Sequence, residues 1–238
     1  MNITFHPTAA GLDRDGLQSS AVVVIDVLRA TSSIIACVEG GASRIIPVES
    51  IATASRLVGH SDRGEKLLVG EHKGLPVEGF DLFNSPVDLT PERVGGRSVV
   101  IATTNGTPAI AAASAKAACV MVCSLTNVGA VAKKASGAED LVVLCCGSSG
   151  RLASEDILCG GILLDLLLDG RADSELDDAG ALALFLARNI DLPLEEFLRR
   201  TDRGGELIRL GYEKDVVFCS RRDSSAMVPI VDQGAIVP

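Results

Sequence analysis

The stretch VVVIDVLRATSS, residues 22–33, contains the pattern that decides the fold. It begins with a continuous run of β-branched residues, passes through a polar turn and continues into small residues that favour a helix. The same order recurs in SVVIATTNGTPAIAAASAKA, residues 98–117, and in LVVLCCGSSGRLASEDILCGG, residues 141–161. Continuous apolar runs are typical of strands that helices cover on both faces. The sequence therefore predicts a three-layer α/β/α fold with a largely parallel or mixed sheet.

The remaining segments continue this alternation of strand and helix. Apolar runs predict strands at residues 22–25, 44–48, 67–69, 99–102, 119–123, 141–144 and 216–219. Stretches rich in alanine and leucine predict helices at residues 32–39, 51–58, 108–115, 128–135, 154–168 and 179–187. Residues 192–212 predict a charged pair of surface helices with a break at Gly204 and Gly205, and the tail from residue 227 predicts a closing strand and turn.

The repeated strand, turn and helix predict two similar halves around a cleft. We place an N-terminal half at residues 1–124 and a C-terminal half at residues 125–238, and a single compact unit is the alternative. The generic βαβ unit explains the repetition as well as an internal duplication does. Residues 70–90 and 170–178 carry the breakers and charges of loops, and a loop as long as the first is usually functional or disordered.

The composition excludes several classes of ligand. The chain has 238 residues, a formal net charge of −9 and an aromatic content of 3%. Affinity for a phosphate backbone needs clustered lysine and arginine, and base stacking needs aromatic rings, so we expect no nucleic-acid partner. We also expect no membrane partner, because anionic lipids repel an acidic chain and the apolar stretches are too short to cross a bilayer. An anionic ligand must therefore be held by local donors.

Seven cysteines, an odd number, lie mostly within apolar runs. This pattern favours buried thiols in a reducing compartment, and the N-terminus lacks a signal-peptide pattern, so we expect a cytoplasmic protein. A nucleophilic thiol at Cys145 or Cys146 is a less favoured alternative. A homodimer is left open.

Polar turns follow the predicted strands, and ligands of open α/β sheets bind beyond such carboxyl ends. After the first strand, Asp26 is placed to bind a metal ion and Arg29 to clamp a phosphate or a carboxylate. Thr31 offers a hydroxyl where the next helix begins. The alternative is that Asp26 and Arg29 only pair with each other.

The second turn is also rich in hydroxyl and amide groups. With the free N–H groups of a helix start, its side chains would form a neutral phosphate cradle from Thr104, Asn105, Gly106 and Thr107. The GxxxxGK[ST] pattern of a P-loop is missing. An ordinary polar connection between strand and helix is the alternative.

The third turn adds a basic residue and two acids. Ser149 and Gly150 would let the backbone approach a ligand, and Arg151 is a second candidate clamp. Glu155 and Asp156 fall in the first turn of a predicted helix, where they are candidate metal ligands. Complementarity with the helix dipole is the alternative explanation of these two acids.

The loop at residues 70–90 carries a further set. Glu71 closes a predicted strand as Asp26 does and is a candidate metal ligand, while Asn84 and Ser85 are candidates for substrate binding. His72 is a candidate acid or base, although a lone loop histidine is more often solvated.

The four turns together combine carboxylates, arginines and hydroxyls. Mg²⁺ prefers oxygen ligands and usually takes one or two carboxylates with phosphate and water. Phosphoryl transfer mainly needs charge neutralisation and alignment, so the pattern favours a small anionic phosphate ester as substrate. The GxSxG elbow of acyl transfer and the GxGxxG turn of dinucleotide enzymes are missing. Two alternatives are a non-catalytic anion- or nucleotide-binding module and a structural scaffold whose polar turns only cap helices.

Several blocks keep one order from residue 22 to the C-terminus: VVVIDVLRATSS, GEHKGLPVEGFDLFNSP, TTNGT, GSSGRLASEDILCGG, and GYEKDVVFC with VPIV. As a set they resemble the 2-phosphosulfolactate phosphatase family. The resemblance implies a Mg²⁺-dependent phosphatase that converts (2R)-2-phospho-3-sulfolactate to 3-sulfolactate and phosphate, a step toward coenzyme M. Related phosphates of 2-hydroxy acids would also serve. This chain has His72 and Phe83 where the family usually has Arg and Gly, so the roles of these two residues are open.

We assign the metal ion to carboxylates: Asp26, Glu71 and Glu155, with Asp156 and Asp81 in reserve. Arg29 and Arg151 would hold the phosphate and the acid group of the substrate. Two routes of attack on phosphorus remain open, by a metal-activated water or by Asp26 through an aspartyl-phosphate.

Overall fold

A mixed β-sheet forms the centre of the molecule. The structure is a computed structural model that describes residues 1–10, 12, 15–59, 65–169 and 176–237. In chain order the strands are β1 Asn2–His6, β2 Ala21–Ile25, β3 Arg44–Val48, β4 Lys66–His72, β5 Leu75–Pro76, β6 Leu82–Phe83, β7 Ser98–Ala102, β8 Cys119–Cys123, β9 Asp140–Cys145, β10 Ile230–Asp232 and β11 Ala235–Val237. Across the sheet the order is β1-β9-β2-β8-β10-β11-β3-β7-β4-β5, and β6 pairs with β4.

Helices cover both faces of this sheet. In chain order they are α1 Ala30–Glu39, α2 Ile51–Leu57, α3 Pro91–Val94, α4 Gly106–Ser114, α5 Val128–Ala135, α6 Ser154–Leu168, α7 Asp178–Asn189, α8 Leu194–Arg200, α9 Asp202–Arg209 and α10 Glu213–Cys219. Successive side chains of a strand point to opposite faces. In β2, Val23 and Ile25 join one buried cluster with α5 and α6, while Val22 and Val24 join another with α1 and α4. The predicted three-layer α/β/α fold is confirmed.

The sheet consists of two parallel blocks joined by the C-terminal hairpin. Strands β1, β9, β2 and β8 run parallel to one another, and so do β3, β7 and β4. Between the blocks, β10 and β11 pair antiparallel with each other and with β8 and β3. Each antiparallel step reverses the strand direction, so the blocks run in opposite directions along the pairing order. The predicted closing strand and turn are thus confirmed as a hairpin.

The two blocks do not follow the sequence in simple order. Strand β2 pairs with β8 on one side and with β9 on the other, so strands from both sides of residue 124 are neighbours. The division of the chain into residues 1–124 and 125–238 stays a prediction.

The C-terminal helices correct two predictions. Residues 216–219 were predicted as a strand and belong to α10. In α10 the buried residues Asp215, Val216 and Cys219 recur at helical spacing. This tertiary burial overrides the strand preference of adjacent valines. The predicted helical pair exists as α8 and α9, but it breaks at Thr201, whose side chain caps α9 by accepting from the N–H of Gly204.

The segment at residues 70–90 is more ordered than a plain loop. It contains β5, β6 and a 3₁₀ turn at Pro86–Asp88. Gly70 is needed here, because a Cβ at this position would lie 2.0 Å from the carbonyl oxygen of Ala102 on β7. Strand β1 was missed, since NITFH is short and half polar, as an edge strand can be. Of the predicted connection at residues 170–178, residues 170–175 lie outside the described part.

Candidate active site

The carboxyl ends of β2, β4, β7 and β9 meet at one cavity of about 310 Å³. In a flat sheet, two blocks of opposite direction would place their carboxyl ends at opposite edges. The sheet therefore turns at the hairpin, where a single residue pair joins each hairpin strand to its neighbouring block. The predicted site residues that line this cavity are Asp26, Arg29, Glu71, Asn84, Thr104, Asn105, Ser149, Arg151, Glu155 and Asp156.

Asp26 lies at the centre of the cavity wall, directly after β2. Its Oδ1 accepts a hydrogen bond from the N–H of Ala30 at 3.2 Å, at the start of α1. Burial raises the pKa of Asp26 from its ordinary value of 3.8 to about 7, and the neighbouring carboxylates of Glu71 and Glu155 add to the rise. A buried carboxylate with raised pKa, facing a polar cavity, is typical of a functional site.

Thr31 supports Asp26 from behind the cavity wall. Its hydroxyl donates to the Asp26 carbonyl oxygen at 2.8 Å and accepts from the Asp26 N–H at 3.1 Å. Thr31 is fully buried and does not line the cavity. Thr31 was predicted to bind substrate, and in the structure it holds the backbone of Asp26 instead.

Glu71 ties two loops together at the end of β4. Its Oε1 accepts from the N–H of Thr104 at 2.5 Å, and its Oε2 accepts from the N–H of Gly74 at 2.5 Å. The hydroxyl of Thr104 also donates to Oε2 at 3.1 Å. Since both oxygens already have donors, Glu71 holds the turn after β7 against the turn between β4 and β5.

Asp156 joins the carboxyl ends of β2 and β9 in the same way. Its Oδ1 accepts from the N–H of Val27 at 2.8 Å, and its Oδ2 accepts from the N–H of Gly147 at 3.0 Å. Burial raises the pKa of Asp156 well above its ordinary value, with Asp26 and Glu155 adding to the rise. Burial also raises the pKa of Glu155, against the effects of a hydrogen bond with Thr201 and the nearby charge of Arg203.

Arg29 is a buried cation enclosed by its neighbours. One Nη donates to Asp215, and the other donates to Oδ1 of Asn84 at 3.2 Å. Its guanidinium lies over the rings of Phe83 and Tyr212, at 4.2 and 4.9 Å from the ring centroids. Arg29 is only 1% exposed. Arg29 therefore forms its ion pair with Asp215 and not with Asp26, which was the alternative left open from the sequence.

Two details of this enclosure bear on the sequence predictions. Ser85, a predicted substrate ligand, donates its hydroxyl to Asp215 at 2.7 Å and does not line the cavity. Phe83, whose role the resemblance left open, forms one wall around Arg29.

The buried Nε of Arg29 has no hydrogen-bond partner among the described residues. A ligand oxygen at this point would satisfy it.

The predicted phosphate cradle is only partly on the cavity surface. Thr104, Asn105 and Ser149 line the cavity, and Oδ1 of Asn105 accepts from the N–H of Ser149 at 3.4 Å. Thr107 is fully buried and bonded to Thr103, and Gly150 faces a neighbouring cavity. Gly106 gives Asp26 its space, because a Cβ there would lie 2.8 Å from Oδ2 of Asp26.

Several predicted alternatives lie away from the site. Asp81, the reserve metal ligand, accepts from the N–H of Leu68 at 2.8 Å and does not line the cavity. His72 is exposed and lines a separate cavity beside it. Cys145 and Cys146 are buried, and burial raises the pKa of both thiols well above the ordinary value. Neither thiol is suited to act as a nucleophile at neutral pH.

Sequence reasoning missed four charged residues. Lys73, Arg203 and Glu206 line the cavity, and Asp215 holds Arg29. Arg203 and Glu206 lie on α9, which reads in sequence as a charged surface helix. Asp215 directly precedes residues 216–219, which were predicted as a strand. The sequence carries no signal that distinguishes these residues, because a charged helix that faces a polar cavity has the same pattern as one that faces solvent.

The carboxylates do not form a ready-made metal cage. Among the described residues, no group of three or more His, Cys, Asp or Glu side chains has the geometry to hold a metal ion. Glu71 and Asp156 have both oxygens bonded to N–H groups, which leaves Asp26 and Glu155 as the carboxylates with fewer fixed donors. One or two carboxylates are what Mg²⁺ usually takes from a protein when phosphate and water complete its shell. The donor set of Asp26 and Glu155 fits Mg²⁺ in that form, and the assignment of the metal ion to Asp26, Glu71 and Glu155 stays a prediction.

Comparison with known proteins agrees with phosphate chemistry at this cavity. The chain is an enzyme of the phosphoric monoester hydrolase class. The family model described as 2-phosphosulpholactate phosphatase matches residues 7–234, and the chain belongs to that family.

Relatives of this family cover almost the whole chain. A protein of Caldanaerobacter subterraneus subsp. tengcongensis named "Probable 2-phosphosulfolactate phosphatase" is 36% identical over 225 residues, which are 94% of this chain and 92% of the relative. A protein of Symbiobacterium thermophilum with the same name is 34% identical over 222 residues, 93% of this chain and 95% of the relative. A third, from Caldicellulosiruptor saccharolyticus, is 38% identical over 215 residues, 88% of each chain. The predicted family is confirmed.

Proposed function

We propose that the chain is a Mg²⁺-dependent phosphatase acting on the phosphate monoester of a small 2-hydroxy acid. The substrate that we propose is (2R)-2-phospho-3-sulfolactate, hydrolysed to 3-sulfolactate and phosphate on the way to coenzyme M. One observation carries the proposal: Asp26 and Arg29 from one turn, Asn105 from a second and Arg151 from a third all line one cavity. Ligand pockets measure roughly 300 to 1,000 Å³. A cavity of about 310 Å³ therefore favours a small substrate.

Asp26 and Glu155 are the residues that we propose for the metal ion. Both are buried acids on the cavity wall, and burial, with the nearby charge of Glu155 adding to it, raises the pKa of Asp26. Mg²⁺ supplies charge neutralisation for the phosphoryl group and orientation of its oxygens. Glu71 and Asp156 act on the backbone: they hold the turns that carry Thr104 and Gly147.

The phosphoryl oxygens would be held by donors from two turns. Thr104, Asn105 and Ser149 line the cavity beside Arg151, which is exposed and unhindered by a buried ion pair. Arg29 contributes differently, because Asp215 and Asn84 already occupy its Nη atoms. We propose that Arg29 offers its unpartnered Nε–H group and a rigid wall to the ligand.

The attacking group stays open between water and Asp26. In either route a new P–O bond forms as the ester P–O bond breaks, and the 2-oxygen of the acid leaves with a proton. A phosphoenzyme trapped by rapid acid quench from labelled substrate would decide for Asp26. The Asp26→Asn variant would retain no labelled phosphate in that case.

Phosphate release tests the proposed function. We expect release from 2-phospholactate and from 2-phosphosulfolactate with Mg²⁺, and none after removal of the metal by a chelator. Asp26→Asn should lose activity, whereas Asp165→Asn should keep it, because Asp165 lies outside the cavity in an exposed ion pair with Arg188. Absence of release from every phosphate of a 2-hydroxy acid would refute the proposal. Binding of phosphate without turnover would favour the alternative, a non-catalytic anion-binding module.

Location and assembly are further proposals. No helix in the described part of the chain is long and apolar enough to cross a membrane. All seven cysteines are free thiols, which supports the proposed cytoplasmic location. A homodimer stays a prediction, for which sedimentation velocity is the measurement. The acidic net charge of −9 supports the expectation of no nucleic-acid partner.

A further inference from the structure

We infer that Arg203 is a specificity-determining residue, which binds the acid group that the substrate carries beside its phosphate ester. The inference deepens the proposed function and rests on it. The group that Arg203 would bind is the carboxylate or the sulfonate of a 2-hydroxy acid. Sequence reasoning gave this role to Arg29 or Arg151. The structure encloses Arg29, and the proposed function places Arg151 beside the phosphate, which leaves Arg203 for the acid group.

Arg29 cannot present a fork to a second acid group. Its Nη atoms donate to Asp215 and Asn84, and two aromatic rings cover its plane. An arginine binds a carboxylate best through two parallel N–H donors. Each Nη of Arg29 already donates one hydrogen bond, its Nε is buried, and the whole residue is only 1% exposed. A different arginine must take the second anion.

Arg203 lies where two cavities join. It lines the central cavity and a neighbouring one of about 290 Å³, which also contains Ser148, Arg151 and Glu206. A substrate whose phosphate sits beside Asn105 and Ser149 would extend its acid end toward this junction. Glu206 accepts from one Nη of Arg203 at 2.7 Å, and this pair fixes the side chain, which is 15% exposed.

The backbone around Arg203 leaves space for its guanidinium. Gly74, in the turn between β4 and β5, has a φ of +84°. A Cβ there would lie 2.5 Å from one Nη of Arg203 and 3.3 Å from its Cζ. The same turn is fixed to the cavity by Glu71, which accepts from the N–H of Gly74. Arg203 is thus seated between α9 and a turn that a Glu71 hydrogen bond already anchors.

The acidic residues around the cavity also favour a binding role for Arg203. Asp26, Glu71, Glu155, Asp156 and Glu206 would repel an acid group of the substrate. Arg203 is close enough to Asp26 and Glu155 for its charge to act on both. The acid group of the substrate therefore meets a cation at the point where it would otherwise face carboxylates.

The test compares ligands that differ by one acid group. 2-Phospholactate and isopropyl phosphate share the phosphate ester, and only the first carries a carboxylate. In Arg203→Ala we expect kcat/KM for 2-phospholactate to fall on the order of 10- to 100-fold, the size of one lost charge-assisted contact, with the value for isopropyl phosphate unchanged within a few-fold. Arg203→Lys should recover part of the loss. Arg209→Ala, an exposed arginine at the end of α9, is the matched control.

A binding titration makes the result independent of turnover. Arg203→Ala should weaken binding of 3-sulfolactate 10- to 100-fold and leave binding of inorganic phosphate within about two-fold of wild type. Equal losses for both ligands would overturn the inference and leave the proposed phosphatase intact. If wild type shows no turnover but Arg203→Ala selectively loses 3-sulfolactate binding, the role of Arg203 is supported and the proposed reaction is refuted. If wild type binds no 2-hydroxy acid, the inference is wrong.

Discussion

Replacing Asp26 by asparagine should make the metal-free protein more stable while it removes activity. Folding raises the pKa of this carboxyl from 3.8 to about 7, chiefly through burial. A raised pKa means that the folded chain binds the proton more tightly than the unfolded chain. The stability that comes from protonated Asp26 is therefore fully present below pH 4 and is lost as pH rises to 7.

The size of this effect follows from the shift. At about 1.4 kcal/mol per pH unit, a rise of about 3 units corresponds to roughly 4 kcal/mol of stability lost above pH 7. Asparagine carries no charge, and its Oδ1 can still accept from the N–H of Ala30 as Asp26 does. Because the buried amide has a desolvation cost of its own, we expect a gain of about 2 to 4 kcal/mol at pH 8.

Urea unfolding in the presence of chelator measures this gain. Far-UV circular dichroism is the suitable signal, since the chain contains no tryptophan. The difference between Asp26→Asn and wild type should be small at pH 4, grow through pH 6 and level off above pH 7. Asp165→Asn, which breaks an exposed ion pair with Arg188, is the control and should change stability by less than about 1 kcal/mol. The reasoning is refuted if Asp26→Asn is no more stable than wild type at pH 8.

Two other substitutions test the surroundings of the cavity. Asp215→Ala leaves the buried Arg29 cation without its partner, so the free energy of unfolding in urea should fall by about 3 to 5 kcal/mol. The control, Glu196→Ala, breaks an exposed ion pair on α8 and should cost less than about 1 kcal/mol. Similar small losses from both variants would contradict the enclosure described for Arg29. Gly106→Ala places a Cβ 2.4 Å from the Cβ of Ala30 on α1 and 2.8 Å from Oδ2 of Asp26, so the start of α1 and Asp26 must both shift and phosphate release should fall at least about tenfold. Full activity of this variant would mean that the position of Asp26 is not critical.

The central strands were predictable because their pattern is local. A strand that is covered on both faces needs a continuous run of apolar residues, and β2, β7, β8 and β9 have one, after a polar first residue in β7 and β9. The polar turn after such a strand marks the edge where ligands bind. Asp26, Asn105 and Arg151 were found in this way, and all three line the cavity.

The depth of a side chain below the cavity surface was not predictable. Thr31 and Asn105 look equally suited to bind phosphate in the sequence, but one is fully buried behind Asp26 and the other lines the cavity. Glu71 and Asp156 resemble metal ligands in the sequence, yet each has one oxygen bonded to a nearby N–H group and the other bonded to an N–H group distant in the chain, that of Thr104 or Val27. Hydrogen-bond partners of this kind depend on which turns meet in space.

The α/β/α layers and the turns that carry the chemistry follow from the sequence alone, because hydrophobic periodicity and turn composition act between near neighbours in the chain; the family followed from the resemblance of whole blocks of sequence. The tertiary structure decided that the two blocks of the sheet turn toward one cavity, that Asp215 holds Arg29, and that Arg203 of α9 faces the cavity. Long-range packing sets these facts, since a charged helix facing solvent and one facing a polar cavity have the same sequence pattern.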